Sequence, residues 1–383
     1  MSNNLARDFV ALFVVSAGMI GSCIAEPAFV PVDVEVCGAS ANVRDPEFDS
    51  KNRRMLFSDD KQRLKVAGIK LDGSIQSPSC RCEVIDTNLT LSMPGISFFN
   101  GGEWAKSQSG LEIFYTKLDT SQRPVLARAW LDGSWRTETL ENGTDRAFPG
   151  PSSDPLDPNS RLFYWRLLSD GSYEMLWRES TQPSVEHTMP GFIGNNSGGV
   201  PRWIPGQRSL TTVLPDAQGT MQAAKYNIDE GSTVFLTADA GNKDEVWMWS
   251  APEFQNQAVF FTVVDGCCIR IYREIGGVWT VVKTVNSADL SSFRNLYSPQ
   301  PFVYKNKSYI AMQLASGGRY TTSEIWIVAV DPDDNLARQV SDPTLPPGVR
   351  NEPEWFVTPL GLFVYYTQVS RGGFSLRRAN SGL

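Results

Sequence analysis

A short motif, a proline or acidic lead-in followed by a bulky apolar residue, recurs seven times along this 383-residue chain. It reads Pro46-Glu47-Phe48, Glu103-Trp104, Asp154-Pro155-Leu156, Pro201-Arg202-Trp203, Pro252-Glu253-Phe254, Gln300-Pro301-Phe302 and Pro353-Glu354-Trp355. The step is roughly 50 residues, inside the range of propeller repeats. A four-stranded sheet with its turns takes about 40 to 50 residues, so one motif per sheet predicts an all-β, seven-bladed β-propeller. The third copy lacks an aromatic, which leaves a six-bladed ring with one irregular insertion as the alternative.

The segments between motifs support the repeat on their own. Glu324 to Val330 and Val278 to Val285 are rich in β-branched and aromatic residues, and Arg54 to Ser58 and Gly361 to Thr367 have the continuous apolar character of strands covered on both faces. No stretch keeps a helical period. Asp72-Gly73-Ser74, Asp132-Gly133-Ser134, Asp170-Gly171-Ser172 and Gly276-Gly277 predict tight turns, because glycine reaches positive φ without steric cost. The last repeat has room for only three strands before Leu383. The strand expected over residues 29–36 therefore completes the final blade against Gly361 to Thr367 and removes the ring's open edges.

Composition narrows the functional classes. The chain is 41% hydrophobic and 20% charged, with 31 glycines and 24 prolines, which suits a turn-rich β domain large enough to bury a core. Its net charge is −7, and it has no basic cluster interleaved with aromatics. A nucleic-acid partner, which needs concentrated positive charge, is not expected. Residues 1–25 carry the marks of an export signal: Arg7, an apolar core from Phe9 to Gly21, and Cys23-Ile24-Ala25 ahead of Glu26. This predicts a secreted or periplasmic protein whose mature part, residues 26–383, is a single propeller domain. Ile20-Gly21-Ser22-Cys23 also has lipobox character, which would place a lipid anchor at Cys23. No later segment is apolar enough to form a transmembrane span.

Cleavage after Ala25 leaves Cys37, Cys80, Cys82, Cys267 and Cys268. In an oxidising compartment disulfides are their expected use, with Cys37 paired to Cys80 or Cys82 and Cys267-Cys268 either a vicinal pair or unpaired. Cys80-Arg81-Cys82 lacks the second ligand pair that a zinc site needs. His187 is the only histidine, expected on an outer strand of the third blade; with no other, histidine-rich metal sites are excluded.

The segment Asp45-Pro46-Glu47-Phe48 through Arg54 to Ser58 resembles the repeat of TolB-type periplasmic propellers, in which a proline and an aromatic precede a tight turn and an apolar strand. Pro201 to Ser209 and Glu352-Pro353-Glu354-Trp355 look similar. The likeness covers the seven-fold motif and the strands after it, and the Ser-Pro-Asp-Gly core of that repeat is absent, so what it implies is a fold superfamily and not TolB's role. It also implies that each motif opens an innermost strand near one mouth of the central channel. Asp45, Glu47, Glu103, Asp154, Asp157, Glu253 and Glu354 would then converge as an acidic sector, with Arg202 and Gln300 on the remaining blades. Packed carboxyls raise one another's pKa and suit a glycan, a cationic ligand or a divalent cation. The competing role for a glutamate in this motif is structural, bonding the backbone of the next blade. Trp135 and Trp279, beside turns, are candidates for stacking on sugars.

Two functions follow from this pattern. One is a non-catalytic propeller that binds a glycan or an extracytoplasmic protein at its mouth, with no resident cofactor. The other is a polysaccharide-cleaving hydrolase or lyase that uses Glu47, Glu103, Glu253 or Glu354 as acid and base.

Overall fold

Twenty-eight strands, grouped into seven four-stranded antiparallel sheets, make up the described part of the protein. The computed structural model describes residues 29–76, 82–91, 100–107, 110–152, 161–193, 200–370 and 372–383. The export signal, Cys23, Cys80, Asp154 and Asp157 lie outside the described residues. Six blades are continuous in sequence, spanning residues 44–86, 103–144, 146–193, 202–235, 243–286 and 295–339. The seventh is built from both ends of the chain: Arg350–Thr358, Gly361–Ser370 and Gly373–Asn380 pair in turn, and Asp33–Cys37 adds as the outermost strand. The protein is a seven-bladed β-propeller.

The closing strand differs from expectation in its partner. It pairs with Gly373–Asn380, Asp33 opposite Ala379 and Cys37 opposite Leu376, and not with Gly361–Ser370, which is already flanked on both sides. A network of buried polar groups fixes it. The Asp33 carboxylate accepts hydrogen bonds from the Arg377 guanidinium and the Tyr366 hydroxyl, and from the Asp342 backbone N–H at 3.2 Å.

Alternation along the middle strands explains why they are apolar on both faces. Phe260 and Phe261 are adjacent and fully buried. Successive strand residues point to opposite faces, so Phe260 packs with Ile204, Val213 and Ala223 of the fourth blade while Phe261 packs with Ile310 and Met312 of the sixth. Each such ring contributes about 1.5–3 kcal/mol by leaving water, and the blades share no single central core.

Four aromatics of the repeated motif do a related job, each gripping the preceding blade, whereas Phe302 packs on Tyr309 of its own blade and on Trp355 of the next. Trp104 donates its indole N–H to the Glu47 carbonyl at 3.2 Å, Trp203 to the Gly150 carbonyl at 2.9 Å, and Trp355 lies 5.9 Å from Phe302. Phe48 packs on Tyr365 and Phe356 with centroids 4.7 and 5.5 Å away, joining the first blade to the last.

The innermost strands do not all begin at the motif: Gln300-Pro301-Phe302 lies within Asn295–Tyr304 and Pro353-Glu354-Trp355 within Arg350–Thr358, and two further copies fall outside innermost strands. In the third blade the innermost strand is Arg146–Pro151, ahead of Asp154-Pro155-Leu156. In the fifth it is Lys243–Ala251, and Pro252-Glu253-Phe254 forms a single 3-10 turn in the hairpin that follows. Cys37 is buried and disulfide-bonded. Cys82 keeps a titratable thiol, pushed up to about 11 by burial, which removes it as the partner of Cys37.

Candidate functional site

Five of the innermost strands contain the same backbone irregularity. Each carries one extra residue, a β-bulge, at a residue with positive φ: Asp45 (48°), Phe148 (57°), Glu245 (53°), Ser298 (48°) and Glu352 (54°). A bulge re-aims the side chains beyond it. Two residues further on stand Glu47, Gly150, Trp247, Gln300 and Glu354. Glu103 and Arg202 begin the innermost strands of the second and fourth blades. Together these seven positions, one per blade, form a ring at the axis. Six of them line one cavity of about 140 Å³, and Gly150 lines the adjoining one of about 460 Å³.

The ring separates two chambers of different character. On the side where the innermost strands begin, Asp45, Glu245, Ser298, Arg319 and Glu352 add polar groups to the smaller chamber. On the other side, Phe48, Trp104, Trp203 and Trp355 wall the larger one, with Asp49, Ser50 and Lys51 at its edge. Glu47, Glu103, Arg202 and Trp247 line both. Gly150 leaves a gap in the ring where another residue would have a side chain; a Cβ there would lie 2.0 Å from the Phe163 ring, so the gap is enforced by packing.

Electrostatics in the smaller chamber are lopsided. Six carboxyls face two guanidiniums, those of Arg202 and Arg319. By surface area the carboxyls are half-buried, yet what remains open faces the cavity, so little bulk water solvates them. Burial first, and then the Glu352 and Glu103 carboxyls, push Asp45 up to about 8, against the opposing pull of the Gly101 N–H and Arg319. Burial pushes Glu103 up to about 7, with Arg202 offsetting part of the shift. Glu47 and Glu354 are held well above the ordinary carboxyl range, again by burial first and then by the neighbouring acids, and Glu352 is raised by burial against Arg319. The raised values of Asp45 and Glu103 leave protonated carboxyls available near neutral pH, able to donate hydrogen bonds as well as accept them.

Few of these polar groups satisfy one another. Gln300 donates to Glu354 at 2.7 Å, Gly101 donates its backbone N–H to Asp45, and Arg319 donates to Ser298 at 2.6 Å. Arg202 stacks on Trp247 with its guanidinium carbon 4.3 Å from the ring centroid, while its Nε and the Trp247 indole N–H are buried without a partner among the described residues. The site therefore retains unused hydrogen-bonding capacity.

The sequence-derived candidates divide clearly. Asp45, Glu47, Glu103, Arg202, Gln300 and Glu354 meet around the cavity. Glu253 lies elsewhere: its carboxylate accepts from the Ser308 backbone N–H at 3.2 Å and hydroxyl at 2.9 Å, tying the fifth blade to the sixth. Trp135 and Trp279 sit on outermost strands at the circumference, Trp135 near Arg54 and Trp279 edge-on to Phe260 at 4.9 Å. His187 stacks on Trp177 at 4.2 Å. Among the described residues no group of three or more His, Cys, Asp or Glu side chains is arranged to hold a metal ion.

Glu245, Trp247, Arg319 and Glu352 do not stand out as site residues in the sequence. Glu352 is legible there only as a second acid in Glu352-Pro353-Glu354. Arg319 carries no signal, because it arrives from the turn between the second and third strands of the sixth blade, behind Gly317-Gly318.

No protein-family model matches the chain, and no curated protein matches it by sequence. Solved structures match the fold. The β-propeller domain of Myceliophteria thermophila Cps50 (Swd1) is similar over 91% of this chain and 99% of its own, with a TM-score of 0.55 and 9% identity. An oligogalacturonate lyase in complex with manganese is similar over 87% of both chains, with a TM-score of 0.52 and 11% identity. Likeness at this level extends to the propeller fold alone.

Proposed function

We propose that the protein is an extracytoplasmic propeller that binds a glycan in its central cavity. The observation that carries this reading is the junction of the two chambers. A ring of Glu47, Glu103, Arg202, Gln300 and Glu354, rich in donors and acceptors, opens onto walls of Phe48, Trp104, Trp203 and Trp355. Sugars present hydroxyls at their edges and C–H groups on their faces, and a pocket that pairs a few polar groups with aromatic walls complements both. The volume of about 460 Å³ is within the range of small-ligand sites. The apolar start of the chain supports export, and its cleavage near Glu26 belongs to this proposal.

Catalysis is the second reading, favoured by Asp45 and Glu103, whose raised values keep a protonated carboxyl available near neutral pH. Glycoside hydrolysis, however, uses two carboxyls pushed apart, one protonated and one ionised. Here Asp45, Glu47, Glu103, Glu352 and Glu354 are all pushed the same way. Binding is the better match.

The test is a panel of neutral and acidic oligosaccharides read by calorimetry and by product analysis. Binding without turnover, weakened at least tenfold by Glu47→Gln with Glu103→Gln, is the expected result. New reducing ends or unsaturated products that disappear in either single variant would establish an enzyme instead. Failure of every glycan to bind would remove the carbohydrate reading.

A further inference from the structure

The hairpin between the second and third strands of the fifth blade, Gln257–Val264 and Cys268–Ile275, brings together the sulfurs of its last turn residue, Cys267, and of the first residue of the returning strand, Cys268. Its turn has positive φ at both central residues, Asp265 (50°) and Gly266 (68°), and closes with the Cys267 N–H donating to the Val264 carbonyl at 3.1 Å. The ladder resumes only with Val264 opposite Cys268, so the connection is a type I′ turn extended by one residue, Cys267. Cys267 thus stands outside the ladder and is not held to the alternation that sends successive strand side chains to opposite faces. The Sγ atoms of Cys267 and Cys268 are 3.0 Å apart, and both approach the Val264 carbonyl oxygen, at 3.6 and 3.5 Å. Cys267 is exposed.

We propose that Cys267 and Cys268 form a redox-active vicinal dithiol, a modification site that closes to an intramolecular disulfide on meeting a disulfide oxidant. The chemistry balances as two exchanges. The Cys267 thiolate, the accessible one, attacks a sulfur of the oxidant's S–S bond, which breaks and releases one thiolate that takes up a proton. The Cys268 thiolate then attacks the Cys267 sulfur in the mixed disulfide and expels the second thiolate. The protein loses two protons and two electrons, and the oxidant's single disulfide becomes two thiols. Contact between the two sulfurs makes the second step intramolecular and far faster than capture of another molecule. Burial pushes the Cys268 thiol up to about 12, which suits a resolving thiol that acts only once its neighbour is bonded, not one that initiates exchange. An exposed disulfide of this kind is readily reduced again.

The position gives the switch a local consequence. Val264 pairs with Lys243 at the start of the fifth blade's innermost strand, two residues before Glu245 of the smaller chamber. The Cys267 carbonyl accepts from the Ser287 N–H at 3.0 Å and the Gly266 carbonyl from the Leu296 N–H at 2.8 Å, so the turn also anchors the entry to the sixth blade.

The experiment uses the full mature protein, incubated with oxidised glutathione and then alkylated, with intact mass and a peptide map as readouts. The expected product has lost two hydrogens, carries no glutathione, and yields a peptide with Cys267 and Cys268 joined and inert to alkylation until reduced. The Cys268→Ser variant is expected to stop at the mixed disulfide, retaining one glutathione on Cys267. Persistent glutathione adducts on the wild-type protein, a cross-link from either residue to Cys82, or continued alkylation of both thiols would each overturn the proposal. If the variant fails to fold, the wild-type peptide map alone decides.

Discussion

Removing the Asp33 carboxylate tests how the ring is closed. In Asp33→Ala the outermost strand of the seventh blade keeps its backbone ladder and loses its polar anchor. The Asp33 side chain is 0% exposed and that of Arg377 only 12%. The variant therefore strands a guanidinium in a nearly dry site and leaves the buried Tyr366 hydroxyl without its acceptor. Breaking a buried ion pair by deleting one partner costs about 3–5 kcal/mol, and the stranded hydroxyl places this case toward the upper end. Unfolding entropy of about 2.1 cal/mol/K per residue, applied to the unit of residues 31–383, makes a loss of about 4 kcal/mol a fall in Tm of about 5 °C. Asp33→Asn keeps an acceptor for Tyr366 and loses only the charge, so about half that cost is expected. Exposed Glu35 on the same strand serves as the control, with Glu35→Ala within about 0.5 kcal/mol of wild type. Urea unfolding followed by tryptophan fluorescence measures all three. Asp33→Ala within about 1 kcal/mol of the control would refute the anchoring argument, because a buried unpaired guanidinium cannot be that cheap.

Other expectations follow from the axis and the blade contacts. Asp45 and Glu103 titrate higher in the folded protein than in the unfolded chain, so the folded state binds more protons between about pH 4 and pH 8; stability is greatest at the acid end of that window and falls as pH rises through it. Tm at about pH 5.5 should exceed Tm at about pH 8.5, and the pair Asp45→Asn with Glu103→Gln should flatten the slope; a slope of the opposite sign would mean that these carboxyls are solvated. Arg202→Gln removes the cation that offsets the shifts of Glu47, Glu103 and Glu354, so carboxyl titrations followed by NMR should move upward in that variant; unchanged titrations would place Arg202 outside their field. Glu253→Ala loses bonds to Ser308 and should cost about 1.5–3 kcal/mol while glycan binding is unaffected; weakened binding at unchanged stability would return Glu253 to the site.

The sequence carried the number of blades more securely than their boundaries. Five of the seven motif copies mark innermost strands, and in four of them the aromatic serves a packing need by gripping the preceding blade, as Trp104 and Trp203 do. Pro252-Glu253-Phe254 copies that pattern at the wrong end of its strand, since proline also starts a 3-10 turn well and glutamate can cap the neighbouring blade from there. The third blade's entry, Arg146–Pro151, has no such motif because its axis position is a glycine pressed on Phe163. Of the site, the acids at Glu47, Glu103 and Glu354 were legible through the motif. Trp247 and Glu245 were not, because what places them is a backbone bulge whose left-handed residue is an aspartate, a phenylalanine, a glutamate or a serine, depending on the blade. No residue type announces such a bulge.

That indifference to residue type has a consequence for how such a protein can change. Where a ligand-facing side chain is aimed by its own rotamer or by a neighbour's bulk, altering it disturbs whatever aimed it. In the bulged blades the main chain does the aiming, and the strand partners that hold it, such as Leu56 opposite Glu47 and Tyr365 opposite Glu354, belong to the next strand out. Apart from the glycine pinned by Phe163, the axis positions of the bulged blades are thus interchangeable sockets on a fixed chassis. New chemical tastes can be installed one blade at a time, with the seven sheets left as they are.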